Sequence, residues 1–170
     1  MKREFLPIIV LGLVAAFLGL EFVSYAKSSD EAEIRAVVQD FAAAFRAKDL
    51  DKIMSFYEPG DKLVAFDLVP PRQFVGWDAY KKDWQDFLSM FSGPITYDLI
   101  DLSVATDGNL AYSHNIEHIA GDLKDGGKLD LTVRVTDVYR KTGGKWLIVH
   151  EHVSVPVDLS TGKADLQSKP

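Results

Sequence analysis

Hydrophobic residues recur at helical spacing in the N-terminal half of the chain. The first such stripe follows cap-forming residues at positions 28–30 and consists of Ile34, Val37, Val38, Phe41, Ala44 and Phe45. A second stripe starts at Leu50 and ends before Pro59, and a third extends from Trp77 to Phe91. Between them, residues 63–69 form a short apolar run that is typical of a strand. This half of the chain therefore predicts three helices and one strand.

Alternation with a period of two replaces helical spacing after Gly93. Four strands are predicted, at residues 95–105, 110–120, 129–141 and 145–156. Glycine-containing turns separate them, and consecutive strands joined by tight turns form an antiparallel sheet. The helices must bury their apolar stripes on one face of that sheet. We therefore predict an α+β fold, a cone in which three N-terminal helices pack on a curved, mainly antiparallel sheet around a small apolar pocket.

The first residues have the pattern of a targeting segment. Lys2 and Arg3 precede sixteen uncharged residues, Phe5 to Leu20, and small residues at positions 24 and 26 form a cleavage motif. We predict a signal peptide at residues 1–26, a folded domain at residues 29–156 and a flexible tail at residues 157–170. The alternative for residues 1–26 is an uncleaved anchor, which would be the domain's contact with a membrane. In both cases we expect the domain to be periplasmic or secreted.

The composition excludes several classes of function. The chain has 170 residues, a formal net charge of −6 and no cysteine. Its basic residues form no patch, so we expect no nucleic-acid partner. Without cysteine the chain has neither a disulfide nor a thiolate nucleophile. No glycine-rich loop indicates a bound nucleotide, and we expect no cofactor.

The last hairpin decides which side chains face the helices. A two-residue turn at Gly143 and Gly144 would pair Asp137 with His150, whereas a three-residue loop would pair Asp137 with Val149. Only the three-residue loop places the apolar odd-numbered residues of both strands on one face, so we predict that loop. The inward face then includes Val135, Val149 and two carboxylates, Asp137 and Glu151. Burial raises the pKa of a carboxyl group unless hydrogen bonds or an opposite charge stabilise the ionised form. The alternative for Glu151 is that it lies at the rim of the pocket, in contact with solvent.

The histidines divide between the two faces of the predicted sheet. On the strand at residues 110–120, the apolar set that includes Tyr112 predicts that His114 and His118 face inward, with His114 in the pocket. There His114 would titrate near neutral pH as an acid or base, and the alternative is a core histidine bonded to a backbone carbonyl. His150 and His152 are expected on the outer face. Two histidine pairs on opposite faces cannot share an ion, so we expect no metal site.

A half-apolar stripe on the outer face of the sheet favours a homodimer. It contains Trp146, His150 and His152 on the last strand, beside Arg134 on the neighbouring strand. Such a stripe is commonly covered by the same face of a second copy of the chain. The alternative is that these are ordinary solvated residues of a strand.

Four features follow one another along the chain: residues 38–53, Asp67 at the end of the first strand, Gly76 and Ala79 at the start of the third helix, and residues 137–140. Taken in this order, they resemble bacterial ketosteroid isomerases and the related SnoaL-type polyketide cyclases of the NTF2-like superfamily. The resemblance implies that Asp67 is a general base and that Asp137 is a neutral acid that donates to a developing oxyanion. It places Tyr57 and Trp84 in the supporting network. Phe41 stands where the isomerases have an oxyanion tyrosine, so that donor is missing.

A second resemblance concerns residues 144–154, which are similar to the final strand of the association domain of calcium/calmodulin-dependent kinase. Three hypotheses follow: an exported acid–base enzyme of isomerase, cyclase or dehydratase type acting on a small apolar carbonyl compound, a non-catalytic binding protein, or a homo-oligomerisation module. The catalytic candidates are Asp67, Asp137 and His114. The residues predicted to form the substrate pocket are Phe41, Tyr57, Trp84, Tyr112, Val135, Val149 and Glu151.

Overall fold

The computed structural model describes residues 29–168, which form three helices and a six-stranded sheet. The predicted signal peptide, residues 1–26, lies outside the described residues. Helix α1 covers residues 29–47, α2 is Leu50–Met54 and α3 is Trp77–Ser89. The side chain of Asp49 accepts a hydrogen bond from the Lys52 backbone N–H and so caps α2. No helix within residues 29–168 is long and apolar enough to cross a membrane.

The six strands form one mixed sheet. Their bounds are Val64–Phe66 for β1, Phe74–Val75 for β2, Phe91–Asp107 for β3, Leu110–Leu123 for β4, Lys128–Thr142 for β5 and Lys145–Ser154 for β6. They lie in the order β2-β1-β6-β5-β4-β3, and every neighbouring pair is antiparallel except β1 with β6. The predicted α+β fold with a mainly antiparallel sheet is confirmed.

The helices bury their apolar stripes against one face of the sheet. Ile34 and Phe45 of α1, with Tyr80 and Trp84 of α3, belong to one buried cluster with residues from β3 to β6. The Phe45 ring stacks on Tyr97 of β3, with 4.4 Å between the ring centroids. Strand β3 contains an irregularity between residues 100 and 103, where the pairing with β4 shifts. Because such bulges bend a strand, β3 curves around the helices and leaves a hollow beneath them.

The last hairpin differs from the predicted register. Thr142 pairs with Lys145 across a two-residue turn in which Gly143 and Gly144 have φ angles of 58° and 78°. Two-residue turns that match the twist of the flanking strands need positive φ angles at both central positions, and glycine adopts these angles without strain. The predicted three-residue loop is therefore wrong.

A bulge at Val149 then reverses the facing of β6. Tyr139 pairs with Ile148 but Val138 pairs with His150, so Val149 has no partner on β5. As a result Trp146 and Ile148 are buried before the bulge, and Glu151 is buried after it. The prediction that Val149 faces the pocket and that Trp146 lies on the outer face is wrong. The inward facing of Asp137 and Glu151 is confirmed, since both are buried and directly opposite each other.

Strand β4 also faces the opposite way from the prediction. Its register with β5 pairs Ser113 with Asp137 and Asn115 with Val135, which places the odd-numbered residues of both strands on the inner face. His114 and Tyr112 therefore lie on the outer face, where their rings stack. The prediction that these two residues face the pocket is wrong. The inward facing predicted for His118 is wrong as well, since its ring lies between the exposed carboxyls of Asp98 and Asp130. The apolar character of Tyr112 suggested burial, but register decides which face of a strand a residue occupies.

The segment after β6, predicted as a flexible tail, contains a small hairpin. Strands β7, Val157–Asp158, and β8, Lys163–Ala164, pair antiparallel. The backbone N–H of Thr132 donates a 2.7 Å hydrogen bond to the carbonyl of Leu166, which joins this segment to β5.

Candidate functional site

A cavity of about 510 Å³ lies between the helices and the concave face of the sheet. Its walls are mainly apolar, and their aromatic members are Phe41, Phe45, Trp84, Phe87 and Tyr97. This volume is in the range of sites that enclose a small organic molecule. The large aromatic side chains line the hollow without filling it.

Four carboxyl groups from four different strands or strand ends meet this apolar wall. Asp67 follows β1 directly, Glu117 lies on β4, Asp137 lies on β5 and Glu151 lies on β6. The sheet order brings β1, β6, β5 and β4 side by side, so residues far apart in the chain converge on one space. Acidic groups in an apolar cavity are costly for stability, and their concentration marks a candidate functional site.

Asp137 and Glu151 form a buried pair at the base of the cavity. They are exact cross-strand partners on β5 and β6, and both are more than nine-tenths buried. Oδ2 of Asp137 accepts hydrogen bonds from the Tyr139 hydroxyl at 3.0 Å and the Ser113 hydroxyl at 3.4 Å. Oδ1 of Asp137 is buried and has no hydrogen-bond partner among residues 29–168, and the Glu151 carboxyl belongs to the residue directly opposite. Two carboxylates so placed repel each other, which favours a proton on one of them.

Two tyrosines connect this pair to Asp67. The Tyr57 hydroxyl donates to Oε2 of Glu151 at 2.6 Å, and the Tyr80 hydroxyl contacts Oε1 of Glu151. The same Tyr80 hydroxyl lies 3.1 Å from Oδ2 of Asp67. Oδ1 of Asp67 accepts a hydrogen bond from the Leu68 backbone N–H. A continuous hydrogen-bonded network therefore extends from β5 through Glu151 to Asp67 at the edge of the cavity.

Burial raises the pKa of each of these carboxyls. Desolvation raises the pKa of Asp137 to about 6, and the hydrogen bonds from Tyr139 and Ser113 oppose that rise. Desolvation and then the charge of Asp137 raise the pKa of Glu151 well above its ordinary value. The two carboxyls titrate together, and repulsion between their charges favours a pair that holds one proton. For Asp67, desolvation raises the pKa, while the bonds from Leu68 and Tyr80 lower it.

Glu117 occupies a separate position on the cavity wall. Its Oε1 accepts a 2.8 Å hydrogen bond from the Asn115 side-chain amide. Desolvation raises the pKa of Glu117 to about 7, and the polar side chains of Tyr97 and Asn115 oppose that rise. The charge of Asp137 raises it further.

The structure brings together most of the residues predicted for the pocket. The cavity is lined by Phe41, Asp67, Trp84, Val135, Asp137 and Glu151. Tyr57 lies behind Glu151 and supports it by a hydrogen bond. His114, Tyr112 and Val149 are not part of the cavity, for the reasons of register given above. The catalytic role predicted for His114 is therefore wrong.

Sequence reasoning missed Glu117, Asn115, Ser113 and Tyr80. The first three share the odd-numbered inner face of β4 with Ile119. The turn around Gly126 is the sequence signal that could have revealed them. It pairs Asp122 with Lys128, so odd-numbered residues of β4 lie opposite odd-numbered residues of β5. Because the odd-numbered residues of β5 are predicted to face inward, those of β4 must do the same. Tyr80 lies on the buried side of α3, but its contact with two carboxyls depends on the packing of α3 against the sheet.

The outer face carries most of the residues predicted for an interface. Nδ1 of His150 lies 2.7 Å from the Val64 carbonyl oxygen, and the Phe66 ring packs edge-on against both His150 and His152. Arg134 is exposed on the same face. Trp146, in contrast, is buried, and its indole N–H donates to Glu33 of α1 at 3.1 Å. Within residues 29–168, no three acidic or histidine side chains are grouped so as to hold a metal ion.

Comparison with known proteins identifies relatives over most of the chain. The profile of the SnoaL-like domain matches residues 34–158. An NTF2-like protein of unknown function from Pseudomonas putida KT2440 is 34% identical, with a TM-score of 0.76 over 84% of this chain and 98% of its own. A ketosteroid isomerase-like protein from Erwinia carotovora atroseptica is 19% identical, with a TM-score of 0.63 over 74% and 95% of the two chains. The association domain of C. elegans CaMKII is 15% identical, with a TM-score of 0.60 over 76% and 98%. No curated protein matches the sequence.

The raised pKa of Glu117 predicts how stability depends on pH. A carboxyl whose pKa is higher in the folded state stabilises the fold below its unfolded pKa, and this contribution is lost as pH rises through about 7. We therefore expect Glu117→Gln to raise the free energy of unfolding at neutral to alkaline pH by about 1–2 kcal/mol, and to change it little near the unfolded pKa of about 4. Urea denaturation across this pH range measures the difference. Asp40→Asn, which removes an exposed carboxyl of α1, is the control. A constant difference between wild type and Glu117→Gln at all pH values would contradict the prediction.

Proposed function

The chain belongs to the SnoaL-like domain family of the NTF2-like superfamily, and from this we propose that it binds a small apolar carbonyl compound and moves a proton on it by acid–base catalysis. One observation carries the proposal. Asp67, whose Oδ1 accepts a hydrogen bond from the Leu68 backbone N–H, lines the same apolar cavity as the buried carboxyl pair of Asp137 and Glu151. A carboxylate that can accept a proton and a carboxyl pair that can supply one, on the wall of one cavity, are the parts that proton transfer needs.

In this proposal Asp67 is the base. Its carboxylate removes a proton from the carbon next to the carbonyl group of the ligand, so that a C–H bond breaks and an O–H bond forms on Asp67. The electron pair of the C–H bond moves into the carbonyl group, which becomes an enolate. The proton held by Asp137 and Glu151 donates a hydrogen bond to the enolate oxygen and stabilises its charge. Where the ligand also has a carbon–carbon double bond next to the deprotonated carbon, the intermediate is a dienolate. The O–H bond on Asp67 then breaks, a C–H bond forms at the far carbon of the dienolate, and the shifted double bond completes an isomerisation.

Phe41 explains why the oxyanion stabilisation must differ from that of the isomerases. Its ring lies within 6.4 Å, centroid to centroid, of the rings of Phe45, Phe56, Tyr57 and Trp84, and it offers no hydrogen-bond donor. Trp84 lines the cavity, is 8% exposed, and has an indole N–H without a hydrogen-bond partner among residues 29–168. We therefore assign to Trp84 a donor role toward the carbonyl oxygen, beside the carboxyl pair.

Proton exchange tests this proposal without knowledge of the natural substrate. In deuterated water, the protein is expected to accelerate hydrogen–deuterium exchange at the acidic C–H bonds of 2-tetralone, a small apolar ketone, followed by proton NMR. Loss of a positioned general base commonly lowers a rate by about 10²–10⁴-fold, so we expect Asp67→Asn to abolish most of the acceleration. Asp137→Asn should reduce it as well. Asp98→Asn removes a carboxylate from the outer face and is the matched control. If the ketone binds but its hydrogen–deuterium exchange is no faster than in buffer, the proposed catalysis is refuted and the chain is a binding protein.

We propose in addition that the domain forms a homodimer through the outer face of its sheet. Two aromatic residues on that face, Tyr112 at 49% and Phe66 at 36%, remain exposed in the single chain. Arg134, His150 and His152 lie on the same face and would contribute polar contacts at the interface. Burial of such a face in a two-fold contact is the common solution for a sheet with an apolar outer surface. The sharing of the fold with an association domain favours this second candidate function.

Sedimentation equilibrium tests the homodimer. We expect a mass of two chains for the wild type and of one chain for Tyr112→Glu, because a charge at the centre of an apolar interface is strongly unfavourable. Val157→Glu is the matched control, since Val157 is 51% exposed but lies on the small hairpin after β6. A wild-type chain that sediments as a monomer would refute the homodimer and would not affect the proposed chemistry.

We also propose that residues 1–26 direct the domain out of the cytoplasm and are then removed. The support is the charge and hydropathy pattern of this segment. In bacterial expression of the full chain, we expect the mature protein in the periplasmic or extracellular fraction, with Lys27 as its first residue by N-terminal sequencing. Recovery of the intact N-terminus in the membrane fraction would instead support the anchor.

A further inference from the structure

The charges on the cavity wall are all of one sign. Its ionisable carboxyl groups come from the segment after β1, from α3, β4, β5 and β6, and they are Asp67, Asp83, Asp86, Glu117, Asp137 and Glu151. No lysine, arginine or histidine is among the residues of the described chain that line the cavity. Arg46 of α1 does not line the cavity, and its Nε–H donates a 3.1 Å hydrogen bond to the Tyr97 carbonyl oxygen. An anionic ligand would therefore find no counter-charge, whereas a cation would find several.

Aromatic rings form much of the remaining wall. Phe41, Phe45, Trp84 and Phe87 pack together on the helical side, and Tyr97 faces them from β3. The negative faces of such rings attract cationic groups, and several rings around one space are a recurrent way to bind quaternary or protonated nitrogen. The wall thus combines apolar area with two kinds of attraction for positive charge.

Glu117 is the acidic group that the proton-transfer proposal leaves unused. It lies four residues along β4 from Ser113, the cross-strand partner of Asp137, which is roughly 13 Å at the spacing of a strand. The hydrogen bond from Asn115 holds its side chain in place. A carboxylate at this distance from the reacting end can bind a charge carried by a different part of the same ligand.

The entrance has the same combination of properties. Three apolar residues that line the cavity remain largely exposed at its edge: Leu68 at 37%, Val69 at 49% and Met90 at 45%. Asp83 and Asp86 of α3 lie among the lining residues with them. Asp86 is paired with Lys82 in a salt bridge, so the negative charge at the entrance is partly compensated. Exposed apolar area next to the remaining negative charge attracts a molecule that is both hydrophobic and cationic.

We propose that the ligand of this cavity is an apolar organic cation, with a protonated or quaternary nitrogen beside Glu117 and a hydrogen-bond acceptor at Trp84. This inference rests on the proposed function and adds to it the chemical class of the ligand. The acidic wall does not carry it alone. The buried indole N–H of Trp84, which has no partner among residues 29–168, independently indicates that the cavity receives a polar ligand atom.

Three probes of nearly equal shape test the sign of the ligand charge. They are benzyltrimethylammonium, its neutral carbon isostere neopentylbenzene, and the anion phenylmethanesulfonate. Their affinities for the full 170-residue chain are measured by ligand-observed NMR titration at about pH 5 and about pH 8. At the higher pH we expect the cation to bind about tenfold or more tightly than its isostere, because partly buried charges of opposite sign attract strongly. The preference should shrink at the lower pH, where the carboxyls on the wall are protonated. The quaternary nitrogen does not titrate, so any change in affinity comes from the protein.

Two variants locate the charge within the cavity. Glu117→Gln should lower the affinity for the cation about tenfold at the higher pH while lowering that for neopentylbenzene much less. Asp83→Asn gives a second measurement at the entrance if Glu117→Gln does not fold. Asp40→Asn removes the same charge from an exposed position of α1 and should leave the preference unchanged.

The outcomes separate this inference from the proposed function. If the neutral probe or the sulfonate binds as tightly as the cation at the higher pH, the inference is overturned while a binding cavity remains. An equal loss of affinity for the cation and the neutral probe in Glu117→Gln would overturn the assignment of the nitrogen to that residue. If none of the three probes binds, the proposed binding function fails together with the inference.

Discussion

The buried pairing of Asp137 with Glu151 constrains the rest of the site. Two carboxyls placed directly opposite each other on neighbouring strands, and more than nine-tenths buried, cannot both be ionised without a large loss of stability. The tyrosines at positions 57, 80 and 139 and the hydroxyl of Ser113 surround the pair with hydrogen-bond donors. Because repulsion between two charges at this separation is strong, the pair favours holding one proton inside an otherwise apolar cavity.

The bulge at Val149 is the backbone feature that makes this pairing compatible with the core. Near the hairpin turn, β6 buries Trp146 and Ile148 under the first helix, which requires its even-numbered residues to face inward. Farther along, Glu151 must face inward for the pair to form. One unpaired residue between these segments satisfies both requirements, since it reverses the alternation of the strand. Bulges beside functional sites commonly serve to redirect a side chain in this way.

The cavity is divided into parts with different chemistry. Asp67, Asp137 and Glu151 are connected through Tyr80 and form one hydrogen-bonded unit. Glu117 is held separately by Asn115, and aromatic rings lie on the helical side. Membership of the SnoaL-like family confirms the resemblance to ketosteroid isomerases and SnoaL-type cyclases but does not choose among the chemistries that this fold supports. The acidic groups and the aromatic rings of the wall are properties of this chain's own residues.

The sequence by itself determined the order and kind of the main elements, because apolar periodicity and glycine turns are local properties. It also indicated that Asp137 faces inward, since Val133 and Val135 on the same strand leave little choice of face. It could not determine the facing of β4 and β6, because alternation allows either face and only the pairing with β5 selects one. The predicted hairpin register misplaced Trp146 and Val149, and the apolar set on which the facing of β4 was predicted misplaced His114 and hid Glu117. The convergence of four carboxyls on one hollow was decided by tertiary structure alone, since it depends on a parallel contact between β1 and β6 that no local pattern encodes.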